Sequence, residues 1–160
     1  MTIWGALAGG FIGTLVLTTG MQAATELRLT RIDLPFLLGT AVTADRIRAR
    51  VLGYAFHFFF GLAFAGAYYL IFSAIGDASW WFGAALGLVH GVFAGTALVN
   101  ILLPLVHPRM GTIFSDASTA PLLEPPGFLL LNYGATTPMV VILVHVIYGA
   151  LVGGFIAASG

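Results

Sequence analysis

The chain has 160 residues, of which 59% are hydrophobic and 8% are charged, and its formal net charge is zero. Soluble domains carry about 25% charged residues, so this composition excludes a soluble protein and predicts one integral membrane domain over residues 1–160. The neutral balance predicts no nucleic-acid partner, and the absence of cysteine excludes disulfides, thiolate metal sites and iron–sulfur clusters.

Four apolar segments follow one another along the chain, and each is long enough to cross a bilayer as a helix of about 20 residues. The predicted spans are residues 3–24, 51–75, 80–106 and 138–158. Helix is the required conformation, because an isolated strand would leave backbone groups unpaired in lipid. We therefore expect an all-α membrane protein, a four-transmembrane-helix up-down bundle.

The two long connections, residues 25–50 and 107–137, hold all six arginines of the chain. Arginine-rich connections favour the cytoplasm, so we expect both loops inside the cell and both termini outside the cytoplasmic membrane. Three tryptophans fall at the opposite end of the spans, where aromatic rings favour the headgroup layer. They are Trp4, Trp80 and Trp81.

The connection 107–137 is rich in proline and glycine but also carries apolar patches. Long loops without secondary structure of their own are uncommon and are often functional. Two interpretations are open: a re-entrant or interfacial cover over the cytoplasmic mouth of the bundle, and a surface that orders only against a partner.

The second and fourth spans resemble each other around a histidine. Aligning YAFHFFFGLAFAGAYY with ILVHVIYGALVGGFIA pairs His57 with His145 and Gly61 with Gly149. The first and third spans also match, in glycines that recur every four residues. The pattern therefore predicts two tandem helical hairpins in the same orientation, a parallel repeat.

Glycines at intervals of four place small residues along one helix face, where neighbouring backbones can approach closely. These glycines are the predicted helix-packing positions. They are Gly5, Gly9, Gly13, Gly61, Gly66, Gly87, Gly91, Gly95, Gly149 and Gly153.

Three histidines fall inside the predicted spans. His57 and His145 are expected at one depth, about 10 to 12 Å from the cytoplasmic side, and His90 near the midplane. His107 ends the third span and is expected at the interface. Ionisable groups within a membrane are costly, which makes a functional role the first hypothesis to weigh.

Four interpretations of the histidines remain open. They could simply pack, each satisfied by one interhelical hydrogen bond. His57 and His145 could bind haem as axial ligands, or His57, His90 and His145 could bind a transition metal. They could also serve a proton relay or a transport path. The sequence predicts no catalytic residues, because no serine stands in a recognisable nucleophile motif.

Two short patterns carry a resemblance to a group of proteins. A Gly-x-x-x-His-Phe-x-x-Gly helix is followed by a Gly-x-x-His helix, after a loop with Asp and Pro. The residues are Gly53, His57, Phe58, Gly61, Gly87, His90, Asp33 and Pro35. The chain resembles a family of uncharacterised small bacterial four-span membrane proteins. That resemblance implies the fold and a bacterial inner membrane, and it implies no activity.

The function expected from the sequence is a non-catalytic accessory or interaction subunit of a larger membrane assembly. Its partners would be the lipid bilayer and either other membrane subunits or further copies of itself, and no cofactor is expected. The alternative is a haem- or metal-binding protein for electron transfer or sensing, and a third hypothesis is a small transporter or proton relay.

Overall fold

The computed structural model describes residues 1–110 and 123–160. Four helices are long and apolar enough to cross a membrane, which confirms the predicted all-α, four-span class. We number them α1 (Ile3–Glu26), α3 (Arg46–Ile75), α4 (Trp80–Val106) and α5 (Thr137–Ala158). Within the described ranges, β structure is limited to an isolated bridge between Met110 and Leu123.

Two short elements lie in the long connections, the helix α2 (Leu34–Gly39) and a 3-10 turn (Phe128–Tyr133). Asp33 caps α2, because its Oδ1 accepts a hydrogen bond of 3.1 Å from the amide of Phe36. Residues 111–122, which form part of the predicted cytoplasmic cover, lie outside the described residues.

A side-chain cap decides where α3 begins. The Oδ1 of Asp45 accepts from the amide of Arg48 at 2.8 Å, so α3 starts at Arg46 and not at the predicted residue 51. The helix ends at Gly76, whose φ of 82° is the left-handed conformation that glycine adopts without steric cost. Arg48 and Arg50, which were predicted to lie in the first connection, are therefore part of α3.

The centre of α4 departs from regular α-helix. Residues Ala94–Leu102 form a π-helical segment, two residues ahead of Pro104, which lacks a backbone donor. The side-chain amide of Asn100 donates to the carbonyls of Thr96 and Gly127, both at 3.0 Å. Asn100 thereby satisfies a carbonyl of the irregular helix and ties it to the second connection.

The helices follow a spatial order that differs from their order in the chain. α5 packs between α1 and α4, and α3 packs on the other side of α1. α3 and α4, joined by the short turn 76–79, have few close backbone approaches and meet through aromatic rings. The rings of Phe72 and Phe82, for example, lie 5.5 Å apart between centroids.

Glycines set the distance between α5 and its neighbours. A Cβ on Gly83 would overlap the carbonyl oxygen of Gly149, and one on Gly13 would lie 2.8 Å from the ring of Tyr148. Such contacts are shorter than real Cβ atoms show, so these positions hold the helices at backbone distance.

Two predicted packing glycines behave differently. Gly66 is an exception, because a Cβ there would meet no atom within 4 Å. The face of α3 that carries Gly66 has no helix against it, whereas the adjacent Ala65 is buried against α1. Gly95 packs against Leu129 of the second connection and not against a span. Two glycines that were not among the predicted packing positions allow a closer approach of backbones than Gly66 or Gly95 does. A Cβ on Gly39 or Gly53 would overlap backbone atoms where α2 crosses α3.

The two long connections meet at one end of the bundle, which we call the arginine-bearing end. The amide of Arg31 donates to the carbonyl of Tyr133 at 2.8 Å, and the hydroxyl of Thr137 donates to that of Thr30 at 2.8 Å. A salt bridge of 3.6 Å joins Arg31 to Glu124. These contacts make a polar cap over the helix ends.

Candidate ligand cavity

An apolar cavity of about 140 Å³ lies inside the bundle, next to the arginine-bearing end. All four spans contribute to its wall, and α2 and the 3-10 turn close it toward the cap. Its lining is mainly aliphatic, including Leu17, Met21, Leu37, Val99 and Leu130. No charged side chain of the described residues lines it.

Three half-buried histidines interrupt this apolar wall: His57 on α3, His90 on α4 and His145 on α5. The ring centroids of His90 and His145 are 4.8 Å apart, in an edge-to-face arrangement. His90 also stacks on Phe64 of α3, with 4.0 Å between centroids. The fold thus brings all three intramembrane histidines of the sequence analysis to one cavity.

The hydrogen bond of His145 fixes which ring nitrogen carries its proton. Nδ1 lies 2.7 Å from the carbonyl oxygen of Val141, one turn earlier in α5. A carbonyl oxygen only accepts, so Nδ1 must be the donor. In the neutral ring, Nε2 is then the acceptor, with its lone pair pointing away from the helix backbone.

His57 is held by Thr18 of α1. The Thr18 hydroxyl donates to the carbonyl of Thr14 at 2.6 Å, and its oxygen lies 2.9 Å from Nδ1 of His57. Because the hydroxyl has a single proton, we assign the second bond to donation by Nδ1 of the imidazole. Nε2 of His57 is therefore an acceptor as well.

Neither Nε2 atom has a hydrogen-bond partner among the described residues. In that part of the chain, every fully shielded polar side-chain atom does have one. The Nε2 atoms of His57 and His145 must therefore touch open space, and both residues line the cavity. The cavity is apolar with unpaired acceptors at its edge.

The three histidines of the predicted metal site line one cavity. Within residues 1–110 and 123–160, no group of three or more histidine, aspartate or glutamate side chains is placed to hold a metal ion. Metal binding by His57, His90 and His145, and haem binding by His57 and His145, stay predictions from the sequence.

His107 lies outside the cavity, at the arginine-bearing end of the bundle. It is buried among protein atoms, with 2% of its surface exposed. Its Nε2 donates to the carbonyl of Leu37 at 2.8 Å, and its Nδ1 accepts from the amide of Arg109 at 3.3 Å. The Arg109 guanidinium donates to the carbonyl of Thr40. The end of α4 is thereby locked to the end of α2.

Tyr148 is a cavity residue that sequence reasoning did not single out. It is 1% exposed, and its hydroxyl donates to the carbonyl of Gly61 on α3. Its ring meets those of Tyr68 and His90 edge-to-face, with centroids 5.8 and 5.7 Å away. A tyrosine three residues after His145 in an apolar span was the available signal.

The wall of the cavity reaches the outer surface of the bundle at Phe60. Phe60 lines the cavity and is also 43% exposed. It lies one turn before Phe64, which faces His90 of α4, so it borders the gap between α3 and α4. This gap is where the backbones of the two spans stay apart.

A second, more polar groove of about 340 Å³ lies beside the cavity at the arginine-bearing end. Arg50 and Asp33 form an ion pair of 2.8 Å in its wall. Thr18 lines this groove while its oxygen holds His57, which lines the cavity. The Thr18–His57 pair therefore stands between the two spaces.

Comparison of the chain with protein-family models, with curated proteins and with solved structures finds no match. The resemblance to small bacterial four-span proteins therefore stays a prediction. Function has to be argued from the geometry of the cavity.

Among the described residues outside the spans, Tyr133 in the cap is the group whose pKa the fold clearly alters. Burial, with the charge of Glu124 adding to it, raises the pKa of Tyr133 to about 12. Its hydroxyl donates to the carbonyl of Glu124 at 2.8 Å, so this bond persists through the neutral range. The cap over the cavity thus includes a hydroxyl donor that keeps its proton there, beside the Arg31–Glu124 ion pair.

Proposed function

We propose that the chain is an integral membrane protein that binds a small lipophilic molecule in the cavity between its helices. The observation that carries this proposal is an apolar cavity of about 140 Å³ edged by imidazoles. An apolar cavity of about 150 Å³ in a protein core stays dry and binds benzene. A cavity of this size therefore suits one ring or a short segment of a chain.

Entry from the bilayer is supported by the position of Phe60. This exposed side chain borders the gap between α3 and α4, where lipid and not water surrounds a spanning helix. A lipophilic molecule is already concentrated in that phase, so it needs no aqueous path. The polar cap at the arginine-bearing end closes the cavity on its other side.

The test is saturable binding of fluorobenzene to the protein in lipid nanodiscs, followed by fluorine NMR. Ala94 is 8% exposed and lines the cavity, so Ala94→Leu fills the space and should abolish binding. Ala67 on α3 is exposed to lipid, and Ala67→Leu is the matched control that should bind normally. Uptake that never saturates, or that Ala94→Leu leaves intact, would refute the cavity as a binding site.

We infer the membrane orientation from charge. The arginines of the two connections gather at one end of the bundle, which supports a cytoplasmic position for that end and an outside position for both termini. α1 packs on α3 and α4 packs on α5, which supports the inferred pair of tandem hairpins. Cysteine labelling at Ser79 and at Ala44 from either side of the membrane tests the orientation.

The accessory-subunit role, a homo-oligomeric state and a transport role stay predictions from the sequence. A binding protein could also serve as a subunit of a larger assembly, so these roles are compatible with the cavity. Purification in mild detergent, with the mass measured by light scattering, separates a monomer from a larger complex.

A further inference from the structure

We propose that the cavity's ligand is a neutral phenol, an aromatic ring whose hydroxyl donates a hydrogen bond to Nε2 of His145. This inference rests on the proposed function and adds the chemical class of the ligand. Three features of the cavity lead to it: its acceptor, its lack of charge and its aromatic wall.

The first feature is a hydrogen-bond acceptor, Nε2 of His145. The Nδ1 proton of His145 is committed to the carbonyl of Val141, so only Nε2 remains, and in the neutral ring it can only accept. Nε2 of His57 has the same character, because its Nδ1 proton is committed to Thr18. A ligand that offers only acceptors would gain nothing from these atoms, whereas a hydroxyl donor would satisfy one.

The charge balance limits the ligand to a neutral molecule. No aspartate, glutamate or arginine among the described residues lines the cavity. A charged group in such surroundings would lose its hydration without an opposite charge to compensate. Ammonium donors are thereby excluded, and a phenol, which is neutral at physiological pH, is retained.

The size and the walls favour an aromatic ring. About 140 Å³ matches one six-membered ring. The rings of Phe64, His90 and Tyr148 border the space beside His145, and aromatic rings attract one another in offset or edge-to-face geometry. A ring placed there keeps its hydroxyl within reach of an imidazole at the edge.

The experiment compares phenol with toluene in nanodiscs, because the two rings differ only by hydroxyl against methyl. Concentrations are expressed in the bilayer, which removes their different partitioning. A neutral hydrogen bond should make phenol bind about threefold to tenfold more tightly than toluene. In histidine-selective nitrogen-15 spectra, phenol and not toluene should shift Nε2 of His145.

Two variants test whether His145 is responsible for the preference for phenol over toluene. His145→Leu should lower the preference for phenol over toluene, since it removes one of the two acceptors, while Tyr54→Phe, which removes a hydroxyl outside the cavity, should keep the preference in full. If His145→Leu fails to fold, the nitrogen-15 shift in the unmodified protein decides alone. Equal, saturable affinities with no shift would overturn the phenol assignment and leave the cavity's function standing. Absence of saturable binding by either ring would overturn both.

The phenolic group has two sources, a free small phenol or the head group of a membrane-soluble hydroquinone. An isoprenyl hydroquinone that displaces bound phenol at a lower bilayer concentration identifies the second source. Displacement only at concentrations above that of phenol identifies the first. In either case the hydroxyl is the group recognised by His145.

Discussion

Thr18 of α1 and His57 of α3 are joined by a hydrogen bond of 2.9 Å between the hydroxyl oxygen and Nδ1. The bond holds the imidazole of a histidine that lines the cavity. It also lies where the polar groove and the apolar cavity come closest, since Thr18 lines one and His57 the other. The buried hydroxyl of Thr18 therefore fixes the orientation of the His57 ring.

Replacing that hydroxyl should destabilise the bundle. Thr18→Val keeps the shape but leaves the Nδ1 proton of His57 without its partner, at a cost of about 1–3 kcal/mol. The measurement is the unfolding free energy in a detergent titration. Thr96→Val is the matched control, because Thr96 makes the same bond to the carbonyl four residues earlier and no bond to another helix. Equal losses in the two variants would mean that the His57 bond contributes nothing.

The contact between α4 and α5 depends on the absence of a side chain at Gly83. Gly83→Ala would place Cβ on the carbonyl oxygen of Gly149, so the helices must separate. We expect a loss of about 1–3 kcal/mol, the usual cost of overpacking. Gly66→Ala is the control in α3, where a Cβ meets no atom within 4 Å. That variant should be neutral or stabilising by up to about 1 kcal/mol, since alanine favours helix over glycine.

A result in which Gly66→Ala destabilises as much as Gly83→Ala would contradict this account. The loss would then come from the α-carbon substituent itself and not from the helix contact. Measuring both variants in the same detergent and at the same protein concentration keeps the comparison direct.

The lock at the arginine-bearing end should depend on His107. His107→Ala removes one of the two donors to the carbonyl of Leu37, which keeps the Thr40 hydroxyl, and leaves the amide of Arg109 without its acceptor. We expect faster hydrogen exchange at the amides of α2 and about 1–3 kcal/mol lower stability. Gln22→Ala, at an exposed position in α1, should leave exchange in α2 unchanged. Unchanged exchange in His107→Ala would show that α2 is held by its glycine contacts alone.

The four spans could be predicted because their length and apolarity are properties of the chain alone. The structure confirms an all-α protein with four such helices. Asp45 is a residue type that favours a helix N-terminus, so the sequence also carried a signal for the earlier start of α3. The predicted bound at residue 51 came from the apolar run, which begins later. Hydropathy marks where lipid surrounds a helix and says little about where a capped helix starts.

The packing partners of the helices could not be predicted from the length and apolarity of the segments. The position of α5 between α1 and α4 depends on the whole bundle, and apolar residues cover nearly all faces of each span. The crossing of α2 over Gly53 and the burial of His107 follow from how the two connections meet. The sequence analysis singled out the histidines by residue type, and the fold places His57, His90 and His145 in one cavity wall. Their hydrogen-bond partners, Thr18 and the carbonyl of Val141, decide their chemistry and are set by the fold.

The position of Phe60 in the cavity wall gives a prediction about kinetics. Phe60 borders the gap between α3 and α4, so Phe60→Ala should widen the path from lipid and speed the exchange of bound fluorobenzene. Its affinity should change less, because a side chain at the entrance makes few contacts with a ligand deep in the cavity. Phe59 is the matched control: it is 65% exposed and does not line the cavity.

Exchange rates can be measured by fluorine relaxation in nanodiscs for the unmodified protein and for the two variants. Phe59→Ala, which removes a ring that packs on Phe60 without lining the cavity, should change the exchange rate much less than Phe60→Ala. If Phe60→Ala also keeps that rate, the ligand does not pass between α3 and α4. Entry would then have to cross the polar cap, and a variant that loosens the cap, such as His107→Ala, should speed exchange in its place.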